Sequence, residues 1–362
     1  MKKKNLIIIC AVLAIGIVAL VVFLLGSRTS TFKQDFHLQD PSTVTRVFIS
    51  DKQDNNVLLE RISNIPGDSA WRVDGQYPAS QAMIDLMLET LNTMRIRQAI
   101  NKAAVPNIVK DIASSSIKVE IYQQVYFINW FGGRLRLFPH EKNTLTYFIG
   151  RETQDQMGSY CFREGDKIPY IIHIPGFRGF LSPRFPTSTW AWRSHHIVTL
   201  NVKQIDRVEL EIPATPEESF AIYRVGEGFA MELLQNHQQV NGFDTARVAQ
   251  LLSSFTNLSF DEYARAVPNV NLTQAFTSDP RAILRITSTN GTTRELKSYL
   301  KYQNPTDSLA MPDPELYETF DLNRLYAIID NSDTVLIQYY AFDNILQPAS
   351  FFMGSASSSF AK

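Results

Sequence analysis

The chain has 362 residues, of which 44% are hydrophobic and 20% charged, and its 35 basic residues nearly balance its 36 acidic ones. This composition is typical of a globular protein. It argues against nucleic acid as a partner, because such binding needs a concentrated basic face. The length favours two or more domains, since one domain usually takes about 100–200 residues.

The N-terminus predicts a membrane anchor. Residues 6–25 form an uncharged, predominantly apolar segment that follows three lysines. About twenty such residues in a helix span the roughly 30 Å hydrocarbon core of a bilayer, and the lysines favour the cytoplasmic side. We therefore predict a cytoplasmic tip and transmembrane anchor at 1–26, a linker at 27–40, and a single-pass protein of the bacterial inner membrane with an extracytoplasmic body.

Two other interpretations of this segment remain open. A cleavable signal peptide usually has a shorter apolar region and a small-x-small cleavage site, whereas Leu24–Arg28 offers a poor site. A lipoprotein signal would use Cys10, but Ile7–Ile9 lacks the small residues expected before a lipidated cysteine. An uncleaved anchor is the favoured interpretation.

The body is predicted to contain one unit twice, at residues 41–190 and 191–350, followed by a disordered tail at 351–362. Each unit begins with three short segments rich in apolar and β-branched residues, which is typical of strands. These segments are 44–49, 57–62 and 70–73 in the first unit, and 205–210, 220–225 and 228–231 in the second.

A helix with one apolar stripe follows the three strands in each unit. Ser80 and Asp244 are the predicted N-caps. Apolar residues then recur at the spacing that places them on one helix face. They are Ile84, Met87, Leu88, Leu91 and Met94 in the first unit, and Val248, Leu251, Leu252, Phe255 and Leu258 in the second. Each stripe predicts a helix that covers one face of a sheet.

The second half of each unit contains further strand-like segments. They are 117–121, 125–130, 134–138, 145–149 and 170–174 in the first unit, and 282–286, 293–302, 325–329 and 334–341 in the second. Gly132–Gly133 and Asn290–Gly291 are hairpin signals between such segments. Hairpins beside one helix predict an α+β fold of two tandem repeats, each a mainly antiparallel sheet with a covering helix.

The order of these elements resembles a known family. The resemblance rests on an N-terminal apolar helix, a polar link, and the segments DPSTVTRVFISD, NVLLERI and AWRVDGQYPAS, which are followed by a helix. The chain resembles the bacterial DUF4340 family in its Bacteroidetes-type form, most clearly between Asp40 and Ala104 and more weakly at 201–266. The resemblance implies an extracytoplasmic accessory of a gliding-type ABC transporter. It supplies no catalytic residues to carry over.

The sequence contains no phosphate loop, dinucleotide fingerprint, nucleophile elbow or His-Glu-x-x-His pair, so no cofactor or metal is predicted. His195 and His196 are adjacent, and adjacent residues on a strand point to opposite faces. That arrangement argues against one shared zinc ion. Cys161 has only Arg163 as a nearby activating group, which favours a buried structural thiol over a nucleophile.

Carboxylates that could serve acid–base chemistry occur in polar stretches, where solvated charge is the usual role. They are Glu217–Glu218, Asp261–Glu262, Asp313 and Glu315. A glycosidase would need two such groups facing one another. We predict no catalytic residue among them.

The junction between the two units is the predicted interaction surface. It mixes arginine with phenylalanine and tryptophan, which are typical of interface hot spots, although packing of these residues between the units is the favoured alternative. The candidates are Phe177, Arg178, Phe180, Trp190, Trp192 and Arg193.

Together these features favour a membrane-anchored binding or scaffolding subunit that contacts other membrane or envelope proteins. An envelope hydrolase acting on glycans, with a carboxylate pair between the repeats, is the main alternative, and a ligand-binding sensor is a third. The hydrolase predicts a deep pocket with facing carboxylates. The scaffold predicts an exposed aromatic or apolar patch.

Overall fold

The computed structural model shows an α+β protein made mainly of antiparallel sheet. It describes residues 16, 36–63, 70–130, 134–266, 272, 276–302 and 320–353. The chain divides into two compact units between Trp192 and Arg193, two residues beyond the predicted boundary. Among the described residues no helix is long and apolar enough to cross a membrane. The predicted anchor, apart from Gly16, lies outside them.

The described part of the first unit contains nine strands in one sheet. They are β1 (Val44–Ser50), β2 (Asn56–Arg61), β3 (Trp71–Val73), β4 (Tyr77–Pro78), β5 (Arg95–Ala99), β6 (Ile117–Trp130), β7 (Leu135–Glu152), β8 (Ser159–Arg163) and β9 (Tyr170–His173). Their spatial order is β4-β3-β2-β1-β6-β7-β8-β9-β5, and every neighbouring pair is antiparallel.

The described part of the second unit contains ten strands. They are β10 (His196–Val198), β11 (Ile205–Glu211), β12 (Phe220–Val225), β13 (Gly228–Leu233), β14 (Leu258–Ser259), β15 (Glu262–Tyr263), β16 (Ala282–Ser288), β17 (Thr293–Tyr302), β18 (Phe320–Ile329) and β19 (Asp333–Gln338). Eight of them form a sheet in the order β13-β12-β11-β16-β17-β18-β19-β15, while β10 pairs with β14.

The two large sheets correspond strand for strand in their connectivity. In each sheet, three consecutive strands lie side by side, and a four-strand meander from later in the chain pairs with the first of them. A short strand, β5 or β15, comes between these two groups along the chain but pairs with the last strand of the meander at the edge of the sheet. The first sheet has one additional edge strand, β4.

Within the described residues, three α-helices lie between the strand groups and two short ones follow the last strand. They are α1 (Gln81–Thr93), α2 (Val105–Ser115), α3 (Thr245–Ser254), α4 (Tyr339–Phe342) and α5 (Ala349–Phe352). Short 3-10 helices lie at Pro41–Thr43, Ser182–Arg184, Thr189–Trp192, Val202–Gln204, Pro216–Glu218, Phe255–Asn257 and Ala264–Ala266.

All ten apolar residues of the predicted stripes are buried, but the helices are shorter than predicted: Met94 follows α1, Phe255 begins a 3-10 helix and Leu258 begins β14. Asp244 caps α3 through its side chain, which accepts hydrogen bonds from the backbone N–H groups of Ala246 and Arg247 at 3.0 and 3.1 Å. Ser80 precedes α1 but makes no side-chain cap bond. Its backbone N–H donates to the carbonyl of Trp192 at 2.7 Å, so this helix start is held by the end of the same unit.

Residues 36–40 are not linker, contrary to the predicted boundary. Phe36 and Leu38 are fully buried in the first core, and the Leu38 N–H donates to the Leu91 carbonyl at 2.7 Å. The alternation of Phe36 and Leu38 with His37 and Gln39 explains the difference, because an extended segment with this period buries one side.

The predicted tail also begins too early. Phe352, at the end of α5, is fully buried, and its ring lies 5.1 Å from that of Phe220. Met353 forms an isolated antiparallel β-bridge with Phe243. The aromatic pair Phe351–Phe352 has enough apolar area to hold the chain against the second unit, while residues 354–362 lie outside the described part.

Candidate functional site

Several large exposed apolar side chains of the described residues lie together on a two-stranded extension of the first sheet. β6 has 14 residues and β7 has 18, but β1 pairs with β6 only as far as Gln123. β8 pairs with β7 only from Tyr147 onward. Within the described residues, the outer parts of β6 and β7 therefore pair only with each other. We call these parts, residues 124–130 and 135–141, the β-arm.

The far end of the β-arm exposes large apolar side chains. Phe127 is 83% exposed, Trp130 59% and Phe138 68%. Leu135 and Leu137, which lie opposite Trp130 and Ile128, are also exposed. Exposed apolar surface that is gathered in one place marks an interaction site more often than scattered single residues do.

The apolar residues occupy both faces of the β-arm. The pairs Ile128–Leu137 and Trp130–Leu135 are two positions apart, so they share one face. Phe127 is adjacent to Ile128 and therefore points to the opposite face; its ring lies 6.2 Å from that of His140. Both faces therefore expose apolar side chains, although the Phe127 face also carries Asn129, Arg136 and His140.

The charged groups near the far end of the β-arm are basic. Arg136 lies on it with its guanidinium 5.5 Å from the Tyr126 ring centre, and the exposed Arg134 directly precedes β7. Glu141, at the base, pairs with Arg46 at 2.6 Å. Arg46 of β1 thus neutralises the Glu141 carboxylate, while Arg134 and Arg136 lie near the far end of the arm.

A polar cleft of about 470 Å³ lies at the base of the β-arm. Its wall includes Gln124 and Asn129 of the arm together with His37, Gln39 and Asp40. The Asp40 carboxylate bonds to its own turn, because its Oδ1 accepts hydrogen bonds from the N–H and hydroxyl of Ser42 at 3.0 and 2.6 Å. The first described residues of this unit therefore lie beside the β-arm.

The predicted interaction surface is not one surface. Phe177 and Arg178 are exposed, while Phe180 and Trp190 are half-buried. Phe177 packs locally, with the Arg184 guanidinium 4.7 Å from its ring centre.

Trp192 and Arg193 are buried, and they belong to different units. Trp192 lies in the core of the first unit, and its indole N–H donates to the Pro186 carbonyl at 2.7 Å. The Arg193 guanidinium donates to Asp333 at 2.6 Å and lies 4.4 Å from the Tyr263 ring centre. These two residues serve packing, because their side chains are buried and bond to groups of their own unit.

The adjacent histidines have separate environments, and only His196 lies on β10. The His195 ring stacks on Phe260 at 4.8 Å, and burial lowers its pKa despite nearby acidic groups. His196 is exposed, and its Nδ1 lies 3.0 Å from the Ser259 hydroxyl. Among the described residues, no three His, Cys, Asp or Glu side chains converge to hold a metal ion.

The acidic candidates make structural contacts. The Glu218 carboxylate accepts from the Ser350 N–H at 2.8 Å, and Asp261 pairs with Arg324 at 2.9 Å. Asp313 and Glu315 lie outside the described residues. Cys161 is fully buried, and burial raises the pKa of its thiol, as expected of a structural cysteine.

A second open cleft, of about 620 Å³, lies in the second unit beside β18 and α4. Its charged groups are paired: Asp321 accepts from the buried Lys301 at 2.8 Å. Burial raises the pKa of Asp321, but hydrogen bonds from Lys301 and the backbone outweigh this and leave the pKa below its ordinary value. A carboxylate held ionised in this way is a poor proton donor.

Comparisons of the chain with protein-family models, with curated proteins and with solved structures gave no match. The resemblance to the DUF4340 family therefore stays a prediction from the sequence.

The sequence analysis missed the β-arm as a functional candidate. It identified 125–130 and 134–138 as separate short strands, and the Gly132–Gly133 signal that joins them lies outside the described residues. The available signal was the loss of alternation at Phe127–Ile128 and Leu137–Phe138, since a strand with one solvated face alternates apolar and polar residues.

Proposed function

We propose that this protein is a membrane-anchored, extracytoplasmic binding or scaffolding subunit of a membrane complex, and that the β-arm is its contact element. The observation that carries the proposal is the exposure of Phe127, Trp130 and Phe138 at the end of a projecting ribbon. Aromatic residues of this kind act as interface anchors. A sheet that used them for its own stability would bury them.

The anchor is the apolar segment at 6–25, which holds the body on the far side of the inner membrane. We further propose that the body consists of two tandem copies of one sheet unit with a covering helix. The corresponding strand orders support this, as do α1 and α3 at the same place in both orders. Association with a gliding-type ABC transporter is the specific form that the family resemblance favours.

The test is copurification from crosslinked intact membranes with a tagged full-length chain. We expect a set of membrane proteins to copurify with the wild type and to fall at least tenfold with the double variant Phe127→Ser/Trp130→Ser. The matched control is Tyr340→Ser, because Tyr340 is 93% exposed in the second unit. Equal recovery with the arm variant and the control would contradict the role of the β-arm.

A further inference from the structure

We propose that the end of the β-arm inserts into the lipid interface of the bilayer that holds the anchor. The proposal rests on the proposed function, because it requires the anchor at 6–25. It names an anionic lipid surface as the partner of the β-arm, so the loss of copurifying proteins from the arm variant would follow from detachment of the arm from the bilayer.

The two-sided apolar character of the β-arm favours lipid over a protein surface. A flat protein partner would cover either the face of Trp130 and Leu135 or the face of Phe127, and the other would stay in water. The lipid interface surrounds an inserted ribbon and covers both faces at once. Tryptophan and tyrosine are enriched at that depth because their rings combine an apolar body with a polar group.

The charge of the β-arm is complementary to anionic lipid. Arg134 and Arg136 lie near its far end, and the nearby acid, Glu141, is paired with Arg46 at the sheet. Arginine side chains can keep the guanidinium among headgroups while their methylene groups remain in apolar surroundings. Basic groups close to a membrane surface are attracted by anionic lipids.

The position of the β-arm also places it within reach of the membrane. The chain enters the first unit at Phe36, and the next residues line the cleft at the base of the arm. Fully extended, residues 26–35 span at most about 35 Å. The arm from Gln124 to Trp130 projects about 20 Å at the rise of a strand. A tether of this length allows the arm to reach the lipid.

The test measures contact between Trp130 and acyl chains. The full-length chain is reconstituted into vesicles of phosphatidylcholine and phosphatidylglycerol, with or without brominated acyl chains that quench tryptophan fluorescence. The protein has four tryptophans, and Trp71 and Trp192 are buried. We expect brominated lipid to quench about a quarter of the emission of the wild type.

Two variants assign the quenched emission. Trp130→Phe keeps an aromatic ring on the β-arm but removes the fluorophore, so quenching should disappear. Trp190→Phe is the matched control and should leave the quenched intensity unchanged. Vesicles of phosphatidylcholine alone should reduce quenching of the wild type at least twofold, because they lack the negative surface charge that attracts Arg134 and Arg136.

Flotation of the same vesicles separates the possible failures. If the chain floats with the vesicles but Trp130 is not quenched, the anchor stands and lipid insertion is overturned. A crosslink from position 130 to another protein in native membranes, without quenching, would overturn it in favour of a protein partner. If the chain does not float, the anchor and the proposed function fail together with the insertion.

Discussion

Replacement of Trp192 by alanine should lower the folding stability of the first unit. The indole is fully buried and donates to the Pro186 carbonyl at 2.7 Å. Truncation of a buried aromatic side chain costs about 3–5 kcal/mol, and the carbonyl that loses its donor adds about 1 kcal/mol. We therefore expect Trp192→Ala to destabilise the first unit by at least about 4 kcal/mol. Trp190→Ala is the control, and its half-buried side chain should cost about 1 kcal/mol.

Hydrogen exchange of the full-length chain in detergent measures this difference locally. A melting temperature would mix two units that need not unfold together, whereas exchange of core amides reports the opening of each one. In Trp192→Ala, the amides of Val47 and Ile49 in β1 should exchange about a thousandfold faster, since each 1.4 kcal/mol is a factor of ten. Those of Val208 and Leu210 in β11 should not change. Equal effects of the two tryptophan variants would refute the assignment of Trp192 to the core.

Three further changes test the second unit and the buried thiol. Asp333→Asn should destabilise the second unit by about 2 kcal/mol in urea titrations, below the 3–5 kcal/mol of a fully buried pair, because it leaves the buried Arg193 without its anion. The pKa of Asp321 is held below its ordinary 3.8 beside Lys301, so its contribution is present above about pH 4 and lost as the pH falls through the folded-state pKa. Asp321→Asn should therefore flatten the acid limb of the stability curve. Peptide mapping after thiol alkylation should find Cys161 modified only in denaturant, since burial raises its pKa.

Much of the fold was predictable because it depends on local periodicity. The helical stripe from Ile84 to Met94 is apolar at every third or fourth position, and all of these residues are buried. Asn290–Gly291 predicted a hairpin, and β16 and β17 pair across it, with Gly291 at φ +85°. Glycine adopts this left-handed conformation without steric cost.

The elements that the sequence analysis missed depend on long-range contacts. α2, Val105–Ser115, buries only Ile108 and Ile112, which is too few for a clear stripe. β5 joins the far edge of the sheet beside β9, a pairing across many residues that no local pattern shows. Composition likewise could not show that Trp192 lies in a core while Phe177 remains exposed.

The β-arm cannot be explained by the folding of the first unit. β1 has seven residues, and a sheet partner of that length supports only about half of β6. The remaining strand gains one ladder of hydrogen bonds with β7, and an isolated hairpin is marginally stable in water. Exposing Phe127, Trp130 and Phe138 there adds unfavourable hydration without core packing. Residues that keep a large apolar area in water without packing in a core are best explained by a surface that covers them. Because exposed sites contribute little to stability, Phe127→Ser should leave the exchange of the β1 amides unchanged while it reduces the quenching of Trp130 by brominated lipid. If an arm variant instead unfolded the first unit, these residues would be shown to stabilise that unit. The argument that the β-arm is a contact element would then fail.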